Sequence, residues 1–279
     1  MVNYNGTISE EVSIDITRNR AFLYGDGVFE TLKVVDDKVM FLEDHYFRLM
    51  ASMRILRMEI PMTFTMEYME QQVLMLADVL NLSNSARVRI TFFRKPGGRY
   101  LPETIHTDYL ITAEPLEYPL YQINEGLYEV DLFKDFYVTK QLLSTLKTIN
   151  KMVHITGSIY AQENGLQNCL LLNDDKNVVE ALQGNVFLLM GNRLITPPLG
   201  DGCLNGIMRK QVLSLAGKME SVEVLEESVS PFDLQKADEI FITNVIMGVQ
   251  PVSRYRKKDF GNNFSADIIK RLNAQIRLV

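Results

Sequence analysis

The chain has 279 residues and only two cysteines, Cys169 and Cys203. Their separation matches no metal-ligand spacing and no disulfide framework, so both are expected as reduced thiols, one in a strand and one in a loop. No metal site is expected. Basic residues are not in excess: 29 Lys and Arg stand against 35 Asp and Glu, giving a net charge of −6. That balance, with the cations scattered along the chain, excludes a nucleic-acid footprint. No apolar run is long enough to span a bilayer. The start, Met1-Val2-Asn3-Tyr4-Asn5-Gly6, has neither a basic region nor an apolar export segment, so a cytoplasmic location is expected. Asn5-Gly6-Thr7 and Asn81-Leu82-Ser83 fit a glycosylation pattern that means nothing without such a signal. There is no internal repeat and no low-complexity segment.

What is present suits a folded enzyme. Hydrophobic residues make up 47% of the chain, enough for one large or two modest cores. Residues 32–42 read as a hairpin turning at Asp36-Asp37. Tyr46, Leu49, Met53 and Leu56 repeat at helical spacing, as do Met69, Val73, Leu76 and Leu80. Residues 86–93 read as a strand with Arg87 and Arg89 on one face, broken by Pro96-Gly97-Gly98. Another strand covers 109–113, and 115–119 reads as a linker.

Beyond it, a helix carrying Met152, Ile155 and Ile159 on its apolar side ends near Gly165. Strands follow at 169–172, 178–182, 186–190 and 194–196. Asn205 should cap a helix, with Arg209 on its outer side. Ser230-Pro231 should start another. Residues 239–243 read as a buried strand, and Ile268, Ile269, Leu272 and Ile276 mark a C-terminal helix. Strands and helices mix without strict alternation. The expectation is α+β, with a smaller lobe over 1–118 and a larger one over 119–279.

Three local patterns carry chemistry. Lys147 lies in Ser144-Thr145-Leu146-Lys147-Thr148-Ile149-Asn150-Lys151, an amine among apolar neighbours. Such an amine attacks a carbonyl once its site favours the deprotonated form. Glu180 lies in Val178-Val179-Glu180-Ala181-Leu182, where a buried acid needs a partner. Asn205-Gly206-Ile207-Met208 opens a helix whose first amides, those of Ile207 and Met208, can face an anion. An amine, a carboxylate and an anion-binding helix start are what a pyridoxal phosphate site requires. A nucleotide site at Gly25-Asp26-Gly27 is disfavoured, because Glu30 stands where a third glycine belongs and no strand–glycine–helix unit surrounds it.

In order and spacing these patterns resemble the class IV aminotransferases, or fold type IV pyridoxal phosphate enzymes. That family includes branched-chain and D-amino-acid aminotransferases and aminodeoxychorismate lyase. Tyr24-Gly25-Asp26-Gly27-Val28-Phe29-Glu30-Thr31, His45-Tyr46-Phe47-Arg48-Leu49, Asn185-Val186-Phe187, Gly206-Ile207-Met208-Arg209 and Phe241-Ile242-Thr243-Asn244 carry the resemblance, which runs from about residue 20 to 252.

The resemblance implies a two-lobed fold with pyridoxal 5'-phosphate in the inter-lobe cleft and a homodimer whose sites borrow a loop from the partner. It implies that Lys147 bonds the cofactor aldehyde and acts as catalytic base, while Glu180 pairs with the pyridine nitrogen. Arg48, the amides of Ile207 and Met208, and Asn244 hold the phosphate, and His45 is structural. Tyr24, Phe29 and Thr31 line the substrate pocket, and Arg89 and Arg99 grip a substrate carboxylate. The reaction expected is amino transfer between an amino acid and a 2-oxo acid. The alternative is the lyase reaction, which releases pyruvate and 4-aminobenzoate from aminodeoxychorismate. The branched-chain branch carries a Gly-Asn-Tyr string after the lysine. Met152, in Asn150-Lys151-Met152, departs from it.

Overall fold

The computed structural model describes residues 1–124 and 126–278. The chain divides into two compact units. Met1–Leu120 with Lys147–Asn150 forms the first, and Tyr121–Leu146 with Lys151–Val279 forms the second. The expected boundary at 118/119 thus stands beside one at 120/121, and the lysine segment joins the first unit.

The first unit begins with β1 (Val2–Tyr4), β2 (Thr7–Ser9) and a short helix α1 (Arg20–Tyr24). Next come β3 (Gly27–Val35), β4 (Lys38–Val39), α2 (Leu42–Ile55), α3 (Met66–Val79), β5 (Ser85–Arg94) and β6 (Thr107–Pro115). The six strands form one antiparallel sheet in the order β2-β1-β6-β5-β3-β4. Asp36 and Asp37 turn the β3–β4 hairpin in the left-handed region, with φ of 46° and 60°, as a two-residue hairpin turn requires.

Period-two alternation sorts the sheet's side chains. Val28, Leu32 and Val34 of β3, with Val88, Ile90 and Phe92 of β5, join Leu49 and Met53 of α2 and Met69, Val73 and Leu76 of α3 in one core. Glu30 shares that face of β3 and is the charged exception. The opposite face carries Phe29, Thr31 and Lys33 beside Arg87, Arg89 and Thr91, in the register Phe29↔Thr91, Thr31↔Arg89 and Lys33↔Arg87.

The second unit comprises β7 (Glu129–Val138), α4 (Met152–Glu163), β8 (Asn168–Asn173), β9 (Val178–Ala181), β10 (Asn185–Met190), β11 (Arg193–Thr196) and α5 (Ile207–Ala216). It ends with β12 (Glu223–Glu226), β13 (Glu239–Asn244), β14 (Gly248–Val252), β15 (Arg254–Tyr255), β16 (Lys258–Asp259) and α6 (Asn263–Leu278). Two five-stranded sheets form, β12-β11-β10-β13-β14 and β16-β15-β7-β8-β9. Their facing residues, among them Val130, Leu132, Leu170, Leu172, Val186, Leu188, Ile240 and Ile242, make the main core of this unit. The second sheet's other face buries Phe133, Cys169, Leu171, Val179 and Leu182 with Ala161 of α4. Strands covered on both faces lose the polar alternation that marks a half-exposed sheet, and every residue of β8 is buried. Both cysteines are buried free thiols, raised by burial to about 11 for Cys169 and about 12 for Cys203. Among the described residues no helix is long and apolar enough to cross a membrane.

Several expectations are corrected. Met152, Ile155 and Ile159 are 70%, 52% and 50% exposed. The small residues Gly157 and Ala161 face the sheet instead, because a Cβ at Gly157 would come within 2.4 Å of Leu182 Cδ2. The helix thus sits too close for large side chains on that face. Ser230-Pro231 opens only a 3-10 turn at Asp233–Gln235, with Ser230 Oγ accepting from Phe232 N and the Asp233 carboxylate accepting from Ser230 N. Arg209 is buried rather than outward. It donates to Pro197 O at 2.9 Å and pairs with Glu226. The sequence pattern leaves out α1, β1, β2, β7, β12, β14, β15 and β16. Pro115, expected to begin a linker, is the last residue of β6.

Candidate active site

In the first unit, Lys147–Asn150 lies alongside β3. Phe29 N donates to Lys147 O at 2.9 Å, Ile149 N donates to Gly27 O at 3.1 Å, and Val28 pairs with Thr148. Gly27 has no side chain because a Cβ there would meet Phe92 O at 2.6 Å and Ile149 Cδ1 at 3.1 Å. This pairing brings Lys147 to Phe29, with its Nζ 4.5 Å from the ring centroid. The Arg89 guanidinium lies 3.7 Å from the same centroid, so two cations share one aromatic ring. Arg89 also donates to Thr91 Oγ1 at 3.1 Å. Burial lowers its pKa, and Arg87 adds to that.

Behind β3, Glu30 is 1% exposed and holds two partners from α2. Arg48 Nε and Nη2 donate to its two oxygens at 2.7 and 2.5 Å, a fork that only a guanidinium supplies. His45 Nδ1 lies 2.7 Å from Oε2. An ionised carboxylate only accepts, so Nδ1 carries the hydrogen. Burial would raise the Glu30 carboxyl, but Arg48 and His45 outweigh it and bring it from 4.5 down to about 2. Burial depresses the His45 ring, against the pull of Glu30. Its Nε2 has no hydrogen-bond partner among the described residues. Glu30 was passed over as a failed glycine position, although Glu30, His45 and Arg48 all lie in quoted motifs.

Tyr24 ends α1 with its ring 6.0 Å from that of Tyr100. Arg99 is exposed in the loop after β5. Its carbonyl and that of Gly97 accept from Arg20 Nη1 at 2.7 and 2.9 Å. Arg20 is 3% exposed and is held in turn by Asp26, which also pairs with Arg94. The structure thus ties the Arg99 loop to the residues just before β3.

The second unit gathers the other candidates. Glu180 is 4% exposed. Its Oε1 lies 3.0 Å from His154 Nε2, and its Oε2 accepts from Leu204 N at 2.8 Å. A register shift between β8 and β9 leaves Glu180 opposite Leu171. This β-bulge turns it to the face that α4 covers. The sequence singles out neither His154 nor the Leu204 amide: His154 lies in no motif, and only tertiary packing brings the two to Glu180.

Gly206, not Asn205, is the N-cap of α5, and as a glycine it offers no side chain to the first amides. Asn205 N instead donates to Thr145 O at 3.2 Å. A Cβ at Gly206 would come within 2.0 Å of Asn185 Oδ1, whose amide donates to Leu204 O at 2.8 Å. The amides of Ile207 and Met208 occupy the first turn, where the helix offers them no carbonyl. Asn244 spends its side chain locally: Nδ2 donates to Gln183 O at 2.8 Å, and Oδ1 accepts from Ile246 N and Met247 N at 2.9 and 2.8 Å.

The donor set fits pyridoxal phosphate. A helix start with glycine as its N-cap suits the phosphate, a buried carboxylate suits a pyridinium N–H, and a primary amine against an aromatic ring suits the aldehyde.

Comparison with known proteins agrees. Residues 27–255 match the family described as Amino-transferase class IV. A putative branched-chain-amino-acid aminotransferase of Methanocaldococcus jannaschii is 28% identical over 98% of this chain and 94% of its own. A D-alanine aminotransferase of Bacillus licheniformis is 23% identical over 99% and 95%. The crystal structure of a putative 4-amino-4-deoxychorismate lyase from Legionella pneumophila superposes with a TM-score of 0.84 at 25% identity, covering 97% of each chain. With an α+β fold shared with that crystal structure and a family match across most of its length, the chain belongs to the class IV aminotransferases, which depend on pyridoxal 5'-phosphate.

Proposed function

We propose that the chain transfers an amino group between an amino acid and a 2-oxo acid, using pyridoxal phosphate. The observation that carries this choice of reaction is the match to a putative branched-chain-amino-acid aminotransferase along nearly the whole of both chains. When bound, the cofactor supplies an aldehyde that takes up the amino group and a ring that accepts the electron pair left on the substrate α-carbon.

The chain's own residues do the rest. Lys147 Nζ would hold the cofactor aldehyde and, when free, would take the substrate α-proton and return it for amino transfer. Glu180 holds a proton on the pyridine nitrogen. Arg48, fixed by Glu30, joins the amides of Ile207 and Met208 at the phosphate. Asn244 contributes through the 244–247 turn that its side chain closes. Phe29, Thr31 and Tyr24 wall the substrate, and Arg89 and Arg99 supply guanidinium groups for its carboxylates.

A lyase reading is favoured by one observation, the likeness along 97% of each chain to a putative 4-amino-4-deoxychorismate lyase. In it Lys147 performs the same α-proton removal, and the substrate then loses a β-substituent. We further propose a homodimer. The exposed Met152, Ile155 and Ile159 recur along one side of α4 and offer apolar side chains suited to a second copy.

The test is turnover. The protein with pyridoxal phosphate, 2-oxoglutarate and a panel of L- and D-amino acids should produce glutamate, and Lys147→Ala should produce none. Rapid 4-aminobenzoate release from aminodeoxychorismate with negligible amino transfer would replace this reading with the lyase.

A further inference from the structure

The Glu180 carboxylate has more in its surroundings than its expected role demands. Each oxygen already holds one donor, His154 Nε2 on Oε1 and Leu204 N on Oε2. Two donors on different oxygens fix both the plane and the direction of a carboxylate. An ionised carboxylate has about four lone-pair sites, so acceptor capacity remains for a pyridinium N–H. The Leu204 amide is backbone, set by the turn that Asn185 braces. The His154 contact depends on a side chain and on where α4 lies.

Both halves of that contact have a specific origin. The β-bulge at β9 turns Glu180 towards α4. Gly157, three residues after His154, lets the helix approach the sheet to within contact of Leu182. The imidazole is 22% exposed and the carboxylate 6%, so water competes little at the acid and somewhat more at the base. Since the carboxylate only accepts, Nε2 carries the hydrogen in the pair.

We propose that His154 is a positioning residue that holds the Glu180 carboxylate aimed at the pyridine nitrogen of bound pyridoxal phosphate. This rests on the cofactor reading given above. Its effect passes entirely through Glu180. The alternative is a brace between α4 and β9 that stabilises the fold and leaves the cofactor untouched.

A double-mutant cycle separates the two. The dissociation constant of pyridoxal phosphate and the visible band of the bound form are measured for wild type, His154→Ala, His154→Gln, Glu180→Gln and the His154→Ala/Glu180→Gln double variant. Thermal unfolding of the cofactor-free proteins monitors the fold. Loss of one charge-assisted hydrogen bond should weaken binding roughly tenfold in His154→Ala. His154→Gln, which keeps an N–H donor, should recover most of it. In the Glu180→Gln background the alanine substitution should change binding by less than about twofold. The visible band should move in His154→Ala and stay in place in His154→Gln.

Equal losses in both backgrounds would overturn the proposal. So would a glutamine variant as poor as alanine while equally folded, or an alanine variant that binds like wild type. A wild-type protein that takes up no pyridoxal phosphate would overturn the cofactor reading and this proposal with it. Wild-type binding with an unaffected His154→Ala would overturn this proposal alone.

Discussion

Replacing Glu30 by glutamine tests the electrostatics behind the proposed phosphate arginine. The substitution keeps the size of the side chain and one acceptor but removes the charge. Arg48, only 10% exposed, then keeps a buried positive charge without its counter-ion. Removing one partner of a buried pair costs about 3–5 kcal/mol. The titration of Glu30 gives a similar magnitude. Its carboxyl lies at about 2 in the folded protein against an ordinary 4.5, a difference worth about 3 kcal/mol.

The sign follows from the depressed value. The stabilisation is fully present above pH 4.5 and is lost as the pH falls from 4.5 towards 2. The chain has no tryptophan, so urea unfolding is best followed by far-UV circular dichroism. At pH 7 Glu30→Gln should be less stable than wild type by about 3 kcal/mol, and the gap should close as the pH approaches 2, where wild-type Glu30 is itself protonated. A gap below about 1 kcal/mol at pH 7, or one that does not change with pH, would refute the reasoning.

Two further predictions concern the second unit. Gly206→Ala places a Cβ within 2.0 Å of Asn185 Oδ1 and so disturbs the turn before α5. Pyridoxal phosphate affinity by equilibrium dialysis should fall by at least about tenfold while α-helix content is kept. Ile155→Glu, on the exposed side of α4, should convert a dimer to monomers by sedimentation analysis without lowering the stability of the monomer. An unchanged sedimentation coefficient would remove α4 from the interface.

Local pattern made much of this legible in the sequence. The hairpin at Asp36-Asp37 was readable from its turn residues, and α2, α3 and α6 from apolar residues at helical spacing that are buried. The site motifs were readable because each is short and continuous. Features set by contacts distant in sequence were not. α4 misled because its spacing of large apolar residues marks an exposed face, while Gly157 and Ala161 do the packing. β7 was missed because Asp131, Lys134 and Asp135 interrupt its apolar pattern, and its partner β8 is parallel and more than thirty residues away. That residue 206 must be a glycine is set by Asn185, from another strand, which occupies the space beside it. Arg209 looked like a surface residue because its partners, Pro197 O and Glu226, lie in other segments. His154 had no local signal, since a bulge and a close helix approach bring it to Glu180.

The central claim is that Lys147 bonds pyridoxal phosphate. The most direct measurement is to incubate the protein with pyridoxal phosphate, reduce it with borohydride and map the modified peptide by mass spectrometry. The account predicts a single phosphopyridoxyl group on Lys147 and none retained by Lys147→Ala. Label on another lysine, or none on the wild-type protein, would contradict it.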